Sequence, residues 1–413
     1  MSFYKSSVKT NLIDPVLNVN NRRAEFRFGE DQVLLSNMRI ANIGITADPS
    51  LDYNYGAGAY SVIKSIHLYD GNQVLDQMFH FDKYSAWKNY LRDNSNNKSL
   101  NHFLNGSGMG YSIQGVDTST NSSLIDSDNN GPNTYTNDAT TTFNSWLDLK
   151  ACLPFLQNSL ILPTAIFKNL RVVIEFNSAV GSAQNTTRPL LIADEMEDTT
   201  TKNSLVSQYK GLNFVGVEHD SLVIDPVFSS GDTADKVQNV SQMLKGFDNK
   251  ILNRFFVVKE SAGADLSSRG SLLGLLGSQL CFREKGNVRV NGRTLLVGDG
   301  LDTPAKSLAS VSDIYGTANA FRNALKTPLD SNGQPVIGVN LQEIQGQQDY
   351  RCFRVAERVE QMEYQFSRQG IWDTDLATSN GKTINCQMVL HFFGEVPKVL
   401  SVNSNGTYLI ANA

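Results

Sequence analysis

Long apolar runs are missing from this chain. Nowhere in its 413 residues do about eighteen apolar residues follow one another, so no α-helical membrane span is expected. The start, MSFYKSSVKTNLIDPVLNV, has no apolar stretch behind a basic head, and the chain reads as a soluble product without a secretory leader. Cysteine is scarce: the 4 residues Cys152, Cys281, Cys352 and Cys386 lie far apart, with no CxxC spacing for zinc or redox chemistry, and are expected as buried free thiols. The 5 histidines, His67, His80, His102, His219 and His391, form no HExxH and no pair spaced for a metal on one helix or strand. They are read as ordinary surface or partly buried side chains, with His391 on the polar face of its strand. Charge is thin, at 19% of residues, and the net value is −5, with a pI near 5.6. A chain of that balance lacks the positive field that holds a phosphate backbone, which excludes strong general nucleic-acid binding.

The furniture of catalysis is missing too. There is no GxSxG elbow for an activated serine. GSLLGLLGSQL (270–280) has the glycines of a phosphate loop but no Lys-Ser/Thr, and GAGAYS (56–61) puts Ser61 where a third glycine belongs. DSDNNGPNTYTN offers Asp126, Asp128, Asn130 and Gly131 in calcium-loop order but ends on Asn137 where a bidentate Glu is needed. Asp373 and Asp375 in WDTD are read as solvated carboxylates rather than a glycosidic pair. Sequons at Asn97, Asn105, Asn121, Asn185, Asn239 and Asn405 are what an Asn- and Ser/Thr-rich chain produces by chance. No catalytic, cofactor-binding or metal residue is assigned, and the chain is not expected to be an enzyme.

What is present is strand. Hydrophobic residues make up 40%, and Asn, Ser, Thr and Gly are abundant, which favours an all-β chain with long polar loops. In LILPTAIFKNLRVVIEFNS (160–178), Leu170, Val172, Ile174 and Phe176 face one way and Arg171 and Glu175 the other, the period of a half-buried strand. Pro163 is read as its opening, where a missing N–H costs no ladder bond. INCQMVLHFF places Ile384, Cys386, Met388, Leu390 and Phe392 on one face and Asn385, Gln387 and His391 on the other. Shorter runs such as SNMRIANIGI (36–45), SVIKSIHLY (61–69), PLLIAD (189–194), NRFFVV (253–258) and TYLIA (407–411) complete a set typical of sandwiches and barrels. FRVAERVEQMEYQF (353–366) fits both periods and is read as strand. Short helices are expected in 80–93, 145–157 and 312–326.

Two signals recur at about half the chain length. The turn pairs Asp70-Gly71 and Asn291-Gly292 both suit a tight hairpin, and IDPV occurs at 13–16 and again at 224–227. Together they imply a duplicated β unit. The expected division is an N-terminal arm over 1–24, a first unit over 25–207 carrying a polar surface insertion at 93–145, and a second unit over 208–413, with the break in DTTTKNSLVSQYKG (198–211). The basic residues Lys5, Lys9, Arg22, Arg23 and Arg27 are read as charge protecting a strand edge rather than as a nucleic-acid contact.

LILPTAIFKNLRVVIEFNS followed by PLLIADEMED resembles the closing strands of the first jelly roll in double jelly-roll major capsid proteins of double-stranded DNA viruses. LNVNNRRAEFRF, IKSIHLYDGNQVL, YSAWKNYLRD and CQMVLHFFGEVPKVLSVNSNGTYLIA stand in an order similar to the capsid proteins of polinton-like viruses and virophages, in the lineage that includes the nucleocytoplasmic large DNA viruses. The resemblance implies two tandem eight-stranded jelly-roll sandwiches. It further implies a homotrimeric, pseudo-hexagonal capsomer in an icosahedral virion shell, contacting neighbouring capsomers, penton and minor capsid proteins. The 93–145 insertion would then be an outer tower and 1–24 would lie at the inner base. The rival reading is a two-module lectin or adhesin whose polar loops bind surface glycans.

Overall fold

The computed structural model describes residues 8–19, 22–46, 63–87, 142–176, 189–227, 234–261, 282–296, 350–370 and 388–412, together with Asp232. The first half of the chain supplies β1 (Val8–Ile13), β2 (Leu17–Val19), β3 (Arg23–Arg27), β4 (Val33–Leu35), β5 (Arg39–Thr46), β6 (Ile63–Asp70), β7 (Gln73–Phe79), β8 (Thr142–Asp148), β9 (Ile161–Pro163), β10 (Leu170–Phe176) and β11 (Leu190–Met196). The second supplies β12 (Gly211–Ile224), β13 (Lys236–Met243), β14 (Lys250–Ser261), β15 (Phe282–Val290), β16 (Arg293–Thr294), β17 (Tyr350–Val359), β18 (Met362–Gly370), β19 (Met388–Val402) and β20 (Tyr408–Asn412).

All pairings are antiparallel, and the two halves pair alike. One sheet of the first half runs β1-β11-β5-β8, with β4 and β9 attached, and its counterpart runs β12-β19-β14-β17, with β20 attached. The facing sheets run β3-β10-β6-β7, with β2 on the edge, and β13-β18-β15-β16. Matched in chain order, β1, β3, β5, β6, β7, β8, β10 and β11 correspond to β12 through β19. The strand order in both halves is that of an eight-stranded jelly roll. Each half therefore closes two sheets over an apolar interior, the arrangement that hides most backbone edges of an all-β chain.

Both repeat signals fall at matching places. IDPV closes β1 in one half and β12 in the other. The second hairpin turns through Asn291 (φ 49) and Gly292 (φ 81), the two positive angles a type I′ turn requires. Its counterpart between β6 and β7 turns through Gly71 (φ 57) and Asn72, one residue later than expected, because Asp70 is still paired with Gln73.

Several local expectations change. Pro163 does not open β10. It ends the short edge strand β9, opposite Val33, and a turn separates it from Leu170; an edge is the other place where a missing N–H costs nothing. Residues 8–13 and 17–19, expected within an arm, are strands paired to β11 and β3. Of 145–157, residues up to Asp148 are strand, and two short helices follow, Leu149–Cys152 and Pro154–Asn158. The strand-poor break is a helix, Thr199–Gln208, whose first turn is capped by the Asp198 carboxylate accepting from Thr201 N–H at 2.7 Å. FRVAERVEQMEYQF is strand, turn and strand, as expected. Cys152 is buried, and its thiol donates to the Asp148 carbonyl at 3.8 Å. Residues 93–141, the helix expected at 312–326, the calcium-like loop, Asp373, Asp375, Cys281 and Cys386 lie outside the described residues.

Candidate functional site

The largest apolar cluster does not stop at the first half. Phe26, Ile40, Leu68, Leu147, Phe155, Phe167, Val172 and Ile174 are continuous with Phe214, Val217, Phe256, Val258, Phe393 and Leu400 of the second. A separate cluster, with Phe247, Phe255, Val257, Phe353, Tyr364, Leu390 and Phe392, belongs to the second half alone. Neighbouring residues on one strand thus serve different cores. On β14, Phe255 and Val257 point into the second core while Phe256 and Val258 point into the seam. On β19, Phe392 and Phe393 divide in the same way. A sheet buried on both faces reads as a continuous apolar run, which is why NRFFVV lacks alternation.

From the first half, the seam is made by the end of β7 and the helix Phe81–Trp87. His80 joins them in a left-handed conformation (φ 48), and its carbonyl accepts the N–H groups of Lys83 and Tyr84 at 3.0 and 3.1 Å. The reversal lays Tyr84 against Phe256 and Phe393, with ring centroids 5.7 and 5.6 Å away. Phe155 meets Phe214 edge-on at 5.2 Å, and Phe167 meets Tyr408 at 5.1 Å, geometries that favour aromatic pairs beyond their burial.

Charge crosses the same seam. Asp76, only 1% exposed, accepts the N–H groups of Phe155 and Gln77 at 2.7 and 2.9 Å. Burial pushes its carboxyl up to about 7, against the pull of those bonds and of Lys398, while Glu218 adds to the rise. Glu218 is bridged by Lys398 at 2.8 Å and Lys250 at 3.2 Å. Burial raises its pKa, but the two lysines together outweigh burial and hold it below the usual carboxylate range. Tyr408 donates its O–H to Asp70 Oδ2 at 2.8 Å, a bond from the last strand back to the first half. Its phenol is raised by burial and by that carboxylate.

The seam also gathers three histidines. His219 on β12 lies opposite Phe393, and His391 on β19 lies opposite Ser221, so the two imidazoles are diagonal neighbours on one face of the sheet. His219 Nε2 and His391 Nδ1 are 3.1 Å apart. The His80 ring reaches across from the first half to 4.5 Å from His219 and 4.6 Å from His391, centroid to centroid. One ring nitrogen from each residue lies within 4.8 Å of the others. His391, expected on a polar face, is 3% exposed, because that face meets the other half rather than water. Burial first, then the neighbouring His80 and His391, pulls His219 down to about 2, so it is neutral at physiological pH. No spacing rule joins residues 80, 219 and 391. The available signal was His391 inside VLHFF, a run too apolar on both sides of the strand for either face to be solvated.

Of the basic residues near the start, Arg23 and Arg27 are engaged within the fold, and Lys5 lies outside the described residues. Arg27, Arg171 and Arg23 approach Glu25 at 2.9, 3.4 and 3.8 Å. Burial raises the Glu25 pKa, and the arginine bonds more than reverse that, leaving it lowered. His67 is buried against Tyr69 and Phe79, and burial lowers its pKa. Among the described residues, no helix is long and apolar enough to cross a membrane.

No protein-family model and no curated protein matches the chain. Solved structures do. The structure of PBCV-1 VP54 fitted into a reconstruction of the virophage Sputnik superposes with a TM-score of 0.59 at 10% identity, over 100% of this chain and 99% of that one. The mavirus major capsid protein gives 0.55 at 10% identity, over 100% and 91%. The Faustovirus major capsid protein gives 0.53 at 7% identity, over 96% and 90%. At such identities the likeness is one of fold, and it runs through both halves: the chain has the tandem jelly-roll fold of these viral major capsid proteins.

Proposed function

We propose that this protein is a structural major capsid protein that forms pseudo-hexagonal homotrimers tiling an icosahedral virion shell. The observation that carries the reading is the repetition of one jelly roll, strand for strand, with the two copies joined through a common core. Three such subunits present six similar units around an axis, which lets one chain fill a hexagonal lattice position. The role needs burial and shape, not a nucleophile.

The surface fits that role. Apolar side chains stand exposed at matching places: Leu12 (68%) on β1 and Val223 (56%) on β12, each one residue before an IDPV, with Val16 (59%) nearby and Val237 (64%) on β13. We take these exposed apolar side chains on or beside edge strands as candidate subunit contacts. We take residues 25–207 and 208–413 as the two units, with β1 and β2 completing the first. We assign the part of the 93–145 insertion that precedes β8 to the outer surface, and we take neighbouring capsomers, penton and minor capsid proteins as the partners.

Light scattering on the protein leaving a sizing column tests this. The expected species is three times 45.5 kDa, roughly 137 kDa, with a hexagonal outline by negative-stain microscopy. A monomer that persists at high concentration and binds glycans would replace this reading with the lectin one.

A further inference from the structure

We propose that His80, His219 and His391 form a binding site for a divalent transition-metal ion, zinc in the first instance, that ties the two jelly rolls together across their seam. The ligand set is built from three remote stretches of chain. His219 and His391 are fixed by the register of β12 against β19, and their nearest nitrogens are 3.1 Å apart. Two nitrogens on a tetrahedral zinc, each about 2.0–2.1 Å from the metal, lie about 3.3 Å apart. That pair is close to coordinating separation, and the proton it now shares as a hydrogen bond moves to the far nitrogen of one ring when both coordinate. The third nitrogen lies within 4.8 Å of both, a gap that rotation of the His80 ring can close.

The chemistry of the pocket suits such an ion. Coordination needs neutral imidazoles with free lone pairs, and metal binding competes with protons for them. The walls are aromatic, with Phe393 5.1 Å from the His219 ring, and Tyr84 behind it. Three imidazoles select Zn²⁺, Co²⁺, Ni²⁺ or Cu²⁺ over Mg²⁺ and Ca²⁺, which take oxygen. Three protein ligands leave a fourth position for water.

The test uses the full-length protein, stripped with a chelator and then titrated. Zn²⁺ is expected to bind at one ion per chain by calorimetry, and Co²⁺ is expected to give the visible d–d absorption of a low-coordinate nitrogen site. Zinc should also raise the melting temperature by mass action. His219→Gln and His391→Gln are each expected to weaken zinc binding by about 100-fold or more, beyond what loss of a hydrogen-bond partner to a ligand costs. His67→Gln, which alters a buried histidine elsewhere, should leave binding unchanged. Should His391→Gln fail to fold, His219→Gln and His80→Gln, both at half-buried residues, carry the same prediction. No zinc heat and no Co²⁺ spectrum at millimolar metal would overturn the proposal, as would binding that survives the loss of His219 and His391 together. The readout is a metal stoichiometry on the isolated chain, so it fails or succeeds independently of whether that chain forms trimers.

Discussion

The two jelly rolls share a strand order and differ in how they are filled. The first is closed partly by short helices, with Leu149, Cys152, Phe155 and Leu156 packed beneath its sheets. Among the described residues, the second is filled from its strands and one short 3₁₀ turn, by Phe247, Phe255, Phe353, Phe366, Phe392 and Tyr364. The asymmetry follows from the seam. The β12-β19-β14-β17 sheet must be apolar on both faces, since one covers its own core and the other completes the first half's. The first half's core is therefore unfinished without the second. This teaches that the duplicated units are not two independent domains in series: one lends a sheet face to the other.

Adjacent residues on β19 test that division most strongly. Phe392→Ala and Phe393→Ala each remove a fully buried ring and should each cost about 3–5 kcal/mol. Their consequences should separate by hydrogen exchange. Phe392→Ala should deprotect β15 and β18, the sheet facing it in the second core. Phe393→Ala should deprotect β7 and the helix Phe81–Trp87 across the seam. Identical exchange patterns would mean that the two cores melt as one.

Acid–base behaviour gives the next largest effect. Asp76 has a folded pKa near 7 against an ordinary value of 3.8, so the folded chain holds this proton more tightly than the unfolded one. Its contribution is greatest below pH 4, is lost as pH rises toward 7, and is flat above, with an upper bound of about 4 kcal/mol. Glu218 has the opposite sign. Its lowered pKa contributes stability above its unfolded value of 4.5, and that stability is lost as pH falls through the folded pKa. Melting temperature measured from pH 4 to 8 should therefore carry a falling component that Asp76→Asn abolishes. A falling component that persists in that variant would place its source elsewhere.

Glycines make a smaller and more local contrast. A methyl group on Gly394 would meet Phe247 and Leu252 of the second core at 2.6–2.9 Å, whereas one on Gly216 would meet the Lys398 side chain at 2.7–2.9 Å. A packed ring cannot step aside, and a lysine stem can. Gly394→Ala should cost about 1–3 kcal/mol by overpacking. Gly216→Ala should cost less, through the displaced Lys398–Glu218 pair, and its melting temperature should respond to salt. Equal losses in thermal denaturation would contradict this account.

The parts of this structure that were legible in the sequence are those set by local chemistry. Period-two alternation marked β10, and turn residues marked both hairpins. Two short repeats, separated by half the chain, marked the duplication, because equivalent backbone turns demand similar residues. Pro163 was misplaced because an edge strand and a strand opening tolerate proline for the same reason. The seam was not legible. His391 appeared to lie on a solvated face because Asn385 and Gln387 precede it, and only the docking of the first half shows what covers it. The histidine cluster depends on the register of two strands about 170 residues apart and on a third residue from the other half. Spacing motifs, which describe one helix or one loop, have no purchase on such a site.

The smallest effect on folding tests the equivalence of the halves most directly. Leu12 and Val223 occupy the same place in their jelly rolls, one residue before the repeated IDPV, and both are exposed. Replacing either by serine touches no core and should change stability by no more than about 0.5 kcal/mol. In the proposed pseudo-hexagonal trimer the two positions would recur alternately around the axis. Leu12→Ser and Val223→Ser should then weaken association to similar degrees, read by light scattering across a dilution series, while leaving thermal unfolding unmoved. If only one of them weakens association, the repeated strands do not make repeated contacts. The duplication would then serve the fold through its shared core, and the hexagonal symmetry of the assembly would have to arise from surfaces the two jelly rolls do not have in common.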